Sequence, residues 1–196
     1  METRFGAVPP GQAGDVAGTL AVQLITLVNS SAGVDSWPMR DTIGALLAAP
    51  VARRVLAIDG PAADRLPAGF ELMAQRGGEF GERLAGALSD AYAMVALPLL
   101  LVRADAVEVT PDVLADAARS LLSGEADAAF GPASDGTFWL LGLRRPDRSL
   151  LVGTPAPAAG AGAGAGRLLL ERLAAAGMRV ALAPRLEVAA APALRF

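Results

Sequence analysis

Short, continuous apolar runs alternate with segments of helical periodicity along most of the chain. The clearest runs are Leu20 to Val28 and Pro98 to Val102, and their richness in Leu, Val and Ile predicts strands buried on both faces of a sheet. Apolar residues in the intervening segments recur at helical spacing. Strands and helices that alternate in this way predict an α/β fold, with a mostly parallel sheet between two layers of helices.

Turn and capping signals give the remaining elements. Further strands are predicted at Arg54 to Ile58, Phe70 to Ala74, Ala126 to Phe130, Phe138 to Leu143 and Arg179 to Ala183. Helices are predicted at Asp41 to Ala49, Glu82 to Tyr92, Leu168 to Ala176 and from Thr110 to Leu122. The last of these has the best-defined start, because Thr110 is a favourable N-cap and Pro111 suits the first helical position.

The length and composition predict one domain. The chain has 196 residues, and 53% of them are hydrophobic. Residues 1 to 18 lack apolar periodicity and predict a flexible arm, so we expect the folded domain over residues 19 to 196. The longest apolar runs are shorter than the roughly 20 residues of a spanning helix, so no membrane span is predicted and a cytoplasmic location is expected.

The amino-acid inventory excludes several kinds of chemistry. The chain has no cysteine and no histidine, and all 17 of its basic residues are arginine. Disulfides, thiolate metal sites, histidine bases and lysine Schiff bases are therefore excluded. The net charge of −3 also disfavours a nucleic-acid binder, which needs positive charge to neutralise phosphates.

An aspartate follows the most apolar strand. Asp105 would lie at the carboxyl edge of the sheet, where ligands of open α/β sheets bind, and could hold a divalent cation that bridges two phosphates. The alternative is an aspartate that caps a turn, which is common at the ends of strands.

Two loops are further candidates. Asp135 and Gly136 lie between two predicted strands, where such a pair is first of all a turn. The neighbouring Phe138 and Trp139 could stack on a sugar or a base, although aromatic residues in strands more often belong to the core.

The other candidate loop precedes a helix and is rich in glycine. Gly77 and Gly78 could expose backbone N–H groups to a phosphate, with Arg76 and Arg83 as forked donors. The alternative for Arg83 is an ion pair with Glu79, four residues earlier on the same helical face.

Taken in order, several blocks of the sequence resemble one family. The matching blocks are Arg40 to Ile43, Gln75 to Leu84, Asp105 with Thr110-Pro111, Gly131 to Gly136, Phe138 to Asp147 and Leu182 to Leu186. This pattern is similar to the small bacterial GT-A-like glycosyltransferases of the radical-SAM-associated type, also described as domain-of-unknown-function family 2064. The resemblance implies a Rossmann-like nucleotide-diphospho-sugar transferase fold.

The resemblance also implies roles for particular residues. Asp105 takes the metal or phosphate role, with Mg or Mn as the cofactor. Asp135 takes the catalytic role and forms the sugar or acceptor loop with Gly136. The implied partners are a nucleotide-diphospho-sugar and an acceptor that the sequence does not identify.

The chain departs from the family pattern mainly at its polar positions. The loop from Asn29 to Pro38 has no basic residue, Arg103 stands where the family has glycine in Gly-x-Asp-x-Pro, and Thr137 replaces a second glycine. Near the C-terminus, Val188-Ala189-Ala190 replaces Val-Asp-Thr, and an Ala-Gly tract from Pro155 to Gly166 replaces a polar loop. Arg103 could bind phosphate, or neutralise Asp105 and displace the metal.

Three hypotheses follow from this pattern. The first is an active sugar-nucleotide transferase that uses a metal at Asp105. The second is a catalytically degenerate member that acts as a binding or scaffold protein, with a protein partner or a homo-oligomer. The third is a nucleotidyltransferase or another α/β nucleotide binder.

Overall fold

One sheet organises the part of the chain that the computed structural model describes, which is residues 18–29, 37–60, 67–156 and 164–189. Its seven strands have the order β3-β2-β1-β4-β6-β5-β7. They are β1 (Leu20–Asn29), β2 (Val51–Asp59), β3 (Glu71–Ala74), β4 (Leu99–Val102), β5 (Ala128–Pro132), β6 (Phe138–Leu143) and β7 (Val180–Leu182). All strands run in one direction except β6, which is antiparallel to both β4 and β5, so the prediction of a mostly parallel sheet is confirmed.

Five helices accompany the sheet in the described residues: α1 (Trp37–Ala48), α2 (Phe80–Met94), α3 (Pro111–Leu122), α4 (Arg148–Leu151) and α5 (Ala165–Ala175). The predicted start of α3 is confirmed, because the Thr110 side chain accepts a hydrogen bond from the Val113 N–H and Pro111 is at the first helical position. Helix α4 is not predicted from the sequence, because its four residues are too few to show apolar periodicity.

The two faces of the sheet carry separate cores. On one face α2, α4 and α5 pack through leucines such as Leu88, Leu151 and Leu169. On the other face α1 and α3 pack through Leu46 and Leu114. The domain therefore has three layers, as predicted, and its large apolar side chains are removed from water on both sides of the sheet.

A charged residue lies inside β2 near the amino edge of the sheet. Arg53 is only 8% exposed, and its Nε and Nη2 donate to Glu71 Oε2 at 2.9 and 2.7 Å. Its Nη1 donates to Gln23 Oε1 at 2.7 Å, while Gln23 Nε2 donates to the Val95 carbonyl at 2.7 Å. This strand is predicted at Arg54 to Ile58; in the structure it begins three residues earlier, at Val51, and the hydrogen bonds satisfy the charged side chain of Arg53 within it.

Two predicted segments lie largely outside the described residues. These are the N-terminal arm, of which residues 1–17 are not described, and the Ala-Gly tract, of which residues 157–163 are not described. Among the described helices, none combines the length and the apolar character needed to cross a membrane.

Candidate functional site

The topology brings two loops together at the carboxyl edge of the sheet. The first follows β4 and begins with Arg103, and the second, residues 133–137, connects β5 to β6. Since β6 lies between β4 and β5 and runs the opposite way, its first residues meet the ends of both neighbours. The Arg103 N–H donates to the Trp139 carbonyl at 2.9 Å, so the two loops start side by side.

Arg103 joins the two predicted aspartates in one cluster. Its Nε donates to Asp105 Oδ1 at 2.9 Å and its Nη2 to Asp105 Oδ2 at 2.6 Å, a bidentate pair. Its Nη1 donates to Thr137 Oγ1 and, over a longer 3.3 Å, to Asp135 Oδ2. The cluster of Arg103, Asp105, Asp135 and Thr137 is hereafter called the Arg103 cluster.

Burial and charge act against each other within this cluster. The Arg103 side chain is 14% exposed, and burial alone would lower its pKa, but Asp105 and Asp135 raise that pKa overall. Burial also disfavours the charged form of Asp135, which by itself would raise the pKa of this carboxyl group. Hydrogen bonds from Thr137 and the charge of Arg103 nevertheless hold the Asp135 pKa below its ordinary value. Arg103 and Asp135 therefore both stay charged at neutral pH.

The loop that carries Asp135 is a tight turn. The Ala133 N–H donates to the Thr137 carbonyl at 3.1 Å, and Gly136 has a φ of 80°, which glycine adopts without strain. Asp135 Oδ1 accepts hydrogen bonds from the Thr137 N–H at 2.9 Å and from its hydroxyl at 2.5 Å. The turn interpretation of Asp135 and Gly136 is thus confirmed, and the turn aims the Asp135 carboxylate at Arg103.

The start of α5 packs against this turn. The Gly166 N–H donates to the Gly136 carbonyl at 3.2 Å. A Cβ at Gly166 would lie 2.4 Å from the Thr137 carbonyl oxygen, so any larger residue would push the turn away. The helix and the Asp135 loop are consequently fixed relative to each other.

The C-terminal segment ties the two loops together. The Ser134 N–H donates to the Leu186 carbonyl and the Val107 N–H to the Glu187 carbonyl, both at 2.9 Å. The Ala189 N–H donates to the Asp105 carbonyl at 2.8 Å. From the sequence, Leu186 belongs to a matching block and Val188 and Ala189 are departures from the family pattern. Their position beside Asp105 is not predicted, because it depends on pairing between residues far apart in the chain.

The glycine-rich loop does not join the Arg103 cluster. It follows β3, which lies three positions from β4 in the sheet. Arg76 makes a bidentate ion pair with Asp90, and the Gly78 N–H donates to Glu82 Oε2 at 3.1 Å. Gly77 has a φ of 116°, and a Cβ there would lie 3.0 Å from Glu82. Arg76 and the Gly78 N–H, two of the donors predicted for a phosphate, are therefore engaged with side chains of α2.

Arg83 belongs to the same region. Its Nη1 donates to the Gly78 carbonyl at 2.6 Å, and its Nε lies 3.9 Å from Asp59 Oδ2 at the end of β2. The ion pair with Glu79 considered as the alternative is replaced by a capping box between Glu79 and Glu82. Arg83 stabilises the loop before α2.

Phe138 and Trp139 lie in the core. They are 2% and 0% exposed, and the Phe138 ring packs 6.1 Å from that of Phe130. The Trp139 Nε1–H donates to the Pro184 carbonyl at 2.9 Å. Neither ring is available to stack on a sugar or a base, so the structure favours core packing over the predicted ligand contact.

The oxygen atoms around Asp105 do not form a suitable set of ligands for a divalent cation. Both Asp105 oxygens accept hydrogen bonds from Arg103, and a hard cation prefers several oxygen ligands that are free of other strong partners. Across the described ranges no group of three or more acidic side chains is placed to hold a metal ion. Asp105 and Asp135 both pair with Arg103, which lies between them.

Comparison with solved structures places the fold among nucleotide-sugar enzymes. A proposed nucleotide-diphospho-sugar transferase from Desulfovibrio desulfuricans G20 matches with a TM-score of 0.71 and 19% identity, over 86% of this chain and 82% of that one. A mannosyltransferase from Pyrobaculum calidifontis, solved with GDP-Man and Mn²⁺, matches with a TM-score of 0.58 and 16% identity, over 89% of this chain and 58% of that one.

A third structure with this fold is glucosyl-3-phosphoglycerate synthase from Mycobacterium tuberculosis, solved with Mn²⁺, UDP and glucosyl-3-phosphoglycerate. It matches with a TM-score of 0.55 and 17% identity, over 95% of this chain and 78% of that one. At these identities the likeness establishes a GT-A-like fold. No curated protein matches the chain significantly.

A family model supplies the remaining comparison. The model described as "uncharacterized protein conserved in bacteria" matches residues 42–156, which include the Arg103 cluster and the glycine-rich loop. The match covers more than half of the 196 residues. The chain is therefore a member of the DUF2064 family, with a GT-A-like fold.

Proposed function

We propose that the protein binds a nucleotide-diphospho-sugar at the carboxyl edge of its sheet and transfers the sugar to an acceptor. The Arg103 cluster is the observation that carries this proposal. It places a guanidinium and two carboxylates where open α/β sheets bind their ligands. The solved structures with the same fold include transferases crystallised with GDP-Man and with UDP.

Arg103 is the residue proposed to contact the diphosphate. A guanidinium presents a planar fork of donors that matches phosphate oxygens, and its charge does not depend on pH in the neutral range. Asp105 is proposed as its positioning residue, because the bidentate pair fixes the plane of the guanidinium. Arg76, Gly77, Gly78 and Arg83 receive no ligand contact in this proposal, because their loop lies three strands from the Arg103 cluster and the polar groups of Arg76, Gly78 and Arg83 are engaged there.

Asp135 is proposed as the catalytic base for the acceptor. The acceptor hydroxyl attacks the anomeric carbon, the bond from that carbon to the diphosphate oxygen breaks, and Asp135 takes the hydroxyl proton. Ionised Asp135 can accept this proton, although its lowered pKa makes it a weak base. When a phosphate oxygen draws Nη1 of Arg103 away, Asp135 loses part of the positive charge that lowers its pKa.

A second candidate function is a catalytically degenerate binding or scaffold protein. It is favoured by the same cluster, because Arg103 neutralises charge on the two carboxylates and the chain departs from the family pattern at its polar positions. This candidate predicts that no nucleotide sugar binds at the carboxyl edge. Under the transferase proposal, binding depends on Arg103.

Calorimetric titration distinguishes these two functions. UDP-, GDP- and CDP-sugars are titrated into the wild-type protein and into Arg103→Gln. The proposal predicts that one donor binds the wild type, and that Arg103→Gln weakens this binding about tenfold or more, since a hydrogen bond to a charged group contributes roughly 1.5–3 kcal/mol.

The matched control is Arg119→Gln. Arg119 is an exposed arginine on α3 that pairs with Asp116, away from the carboxyl edge, so its loss leaves donor affinity unchanged. If no nucleotide sugar binds the folded wild type, the transferase proposal is wrong, and the result supports the binding or scaffold function. If the wild type and Arg103→Gln bind the nucleotide sugar with equal affinity, Arg103 does not contact the donor.

A further inference from the structure

We propose that the Arg103 guanidinium takes the place of a divalent cation between Asp105 and Asp135, so that this site works without a metal ion. The solved GT-A-like structures described above include two with Mn²⁺. In this chain the position between the two carboxylates is filled by a side chain of the protein itself.

The geometry makes Arg103 a fixed part of the site. All three of its guanidinium nitrogens donate hydrogen bonds, four in total, to Asp105, Asp135 and Thr137. Its backbone N–H is bonded to the Trp139 carbonyl, and its side chain is 14% exposed. Because both the backbone and the guanidinium of Arg103 are hydrogen-bonded, its charge is preorganised in the site and is not that of a mobile surface side chain.

A metal ion would have to displace this guanidinium. Coordination by Asp105 requires at least one of its oxygens to leave Arg103, and both oxygens are engaged. Arg103 would then be a largely buried cation without its main partner and beside a second cation, an arrangement that low-dielectric surroundings penalise strongly. The protein therefore selects its own cation over one from solution.

Two departures from the family pattern meet at this place. Arg103 stands where the pattern has glycine, and Ala189 stands where it has aspartate, with the Ala189 N–H donating to the Asp105 carbonyl at 2.8 Å. The first change adds a positive charge and the second removes a negative one. Together the two changes make this place more positive by two charges than that pattern.

The arrangement leaves a way for a diphosphate to bind. The contact between Nη1 and Asp135 is 3.3 Å, the longest in the cluster, whereas the pair with Asp105 measures 2.6 and 2.9 Å. A phosphate oxygen can replace the long contact while the bidentate pair stays intact. This step rests on the proposed function, whereas exclusion of the metal depends on the Arg103 cluster alone.

The metal part is tested by Mn²⁺ titration followed by electron paramagnetic resonance, which reports free Mn²⁺ and needs no activity. The wild type is expected to leave the Mn²⁺ signal unchanged. Arg103→Ala frees both carboxylates and is expected to bind Mn²⁺, so that it lowers the free Mn²⁺ signal at protein concentrations where the wild type leaves the signal unchanged. Adding Asp105→Asn to Arg103→Ala is expected to remove this gain.

Two results would overturn the metal part. One is Mn²⁺ binding by the wild type that Asp105→Asn abolishes. The other is an Arg103→Ala protein that is folded by circular dichroism but binds no more Mn²⁺ than the wild type. If Arg103→Ala does not fold, Arg103→Gln replaces it, because glutamine retains a neutral donor and much of the side-chain length.

The ligand part is tested by repeating the donor titration with Mn²⁺ and with chelator. Equal donor affinity in the two buffers supports the proposal, and a tenfold loss in chelator contradicts it. The failure of the proposed function is recognised separately, because then no donor binds in either buffer while the Mn²⁺ results still stand.

Discussion

Asp135 is held in its ionised form by its immediate neighbours, and this has a consequence for stability. Its native pKa lies below the ordinary value of 3.8, with burial opposing the effect and Thr137 and Arg103 producing it. A carboxyl group with a depressed native pKa stabilises the fold above the pKa of the unfolded chain. This contribution is lost as the pH falls through the native pKa.

The first prediction concerns Asp135→Asn. The variant is expected to be less stable than the wild type at pH 7, and the difference is expected to shrink as the pH falls below about 4 and Asp135 of the wild type becomes protonated. Urea denaturation midpoints across this range measure the effect. A difference that stays constant with pH would show that the Asp135 charge does not contribute to stability.

The second prediction concerns the buried arginine in β2. Arg53→Met removes the donor to Gln23 Oε1 and the partner of Glu71, and leaving a buried acceptor unsatisfied costs about 1–3 kcal/mol of unfolding free energy. Glu71→Gln is the matched control, since the Glu71 side chain is 58% exposed and its loss of charge should cost less than about 1 kcal/mol. Equal losses in the two variants would contradict this interpretation of Arg53.

At the scale of elements, the close packing of α5 against the Asp135 turn depends on one glycine. Gly166→Ala places a Cβ 2.4 Å from a carbonyl oxygen of Thr137, and such overpacking costs about 1–3 kcal/mol. Gly44→Ala in α1 meets nothing within 4 Å and should instead stabilise the protein by about 0.5–1 kcal/mol through helix propensity. Thermal unfolding of both variants tests this difference in sign.

The sequence predicts the elements where local signals act alone. Thr110 and Pro111 define the start of α3, and Phe138 to Leu143 coincides with β6, because capping and apolar runs are local properties. Arg53 and the four-residue α4 have no such signal, since buried hydrogen bonds and tertiary packing decide them.

The site was predictable in its position but not in its contacts. Asp105 and Asp135 follow from their places after strands, and the Arg103-Ala104-Asp105 sequence itself indicates that Arg103 can neutralise Asp105. The engagement of Gly78 by Glu82, and of Arg76 by Asp90, depends on side-chain directions that sequence spacing does not determine. The role of the C-terminal segment depends on contacts between distant residues.

At the scale of the whole molecule, the strand order determines what the carboxyl edge can do. A single antiparallel strand, β6, brings the loops of β4 and β5 together, and the C-terminal segment holds them in place. The glycine-rich loop after β3 belongs to the same edge but lies three strands away. The association with radical-SAM enzymes stays a prediction.

Nuclear magnetic resonance localises a bound donor most directly. Nucleotide-diphospho-sugars are titrated into the ¹⁵N-labelled protein in the presence of chelator, and the backbone amide shifts are followed. The account predicts that the amides of Arg103, Asp105 and Thr137 shift on titration, while those of Gly124 and Arg144, at the opposite edge of the sheet, do not. Shifts confined to the opposite edge, or no shifts with any donor, would contradict a nucleotide-sugar site at the Arg103 cluster.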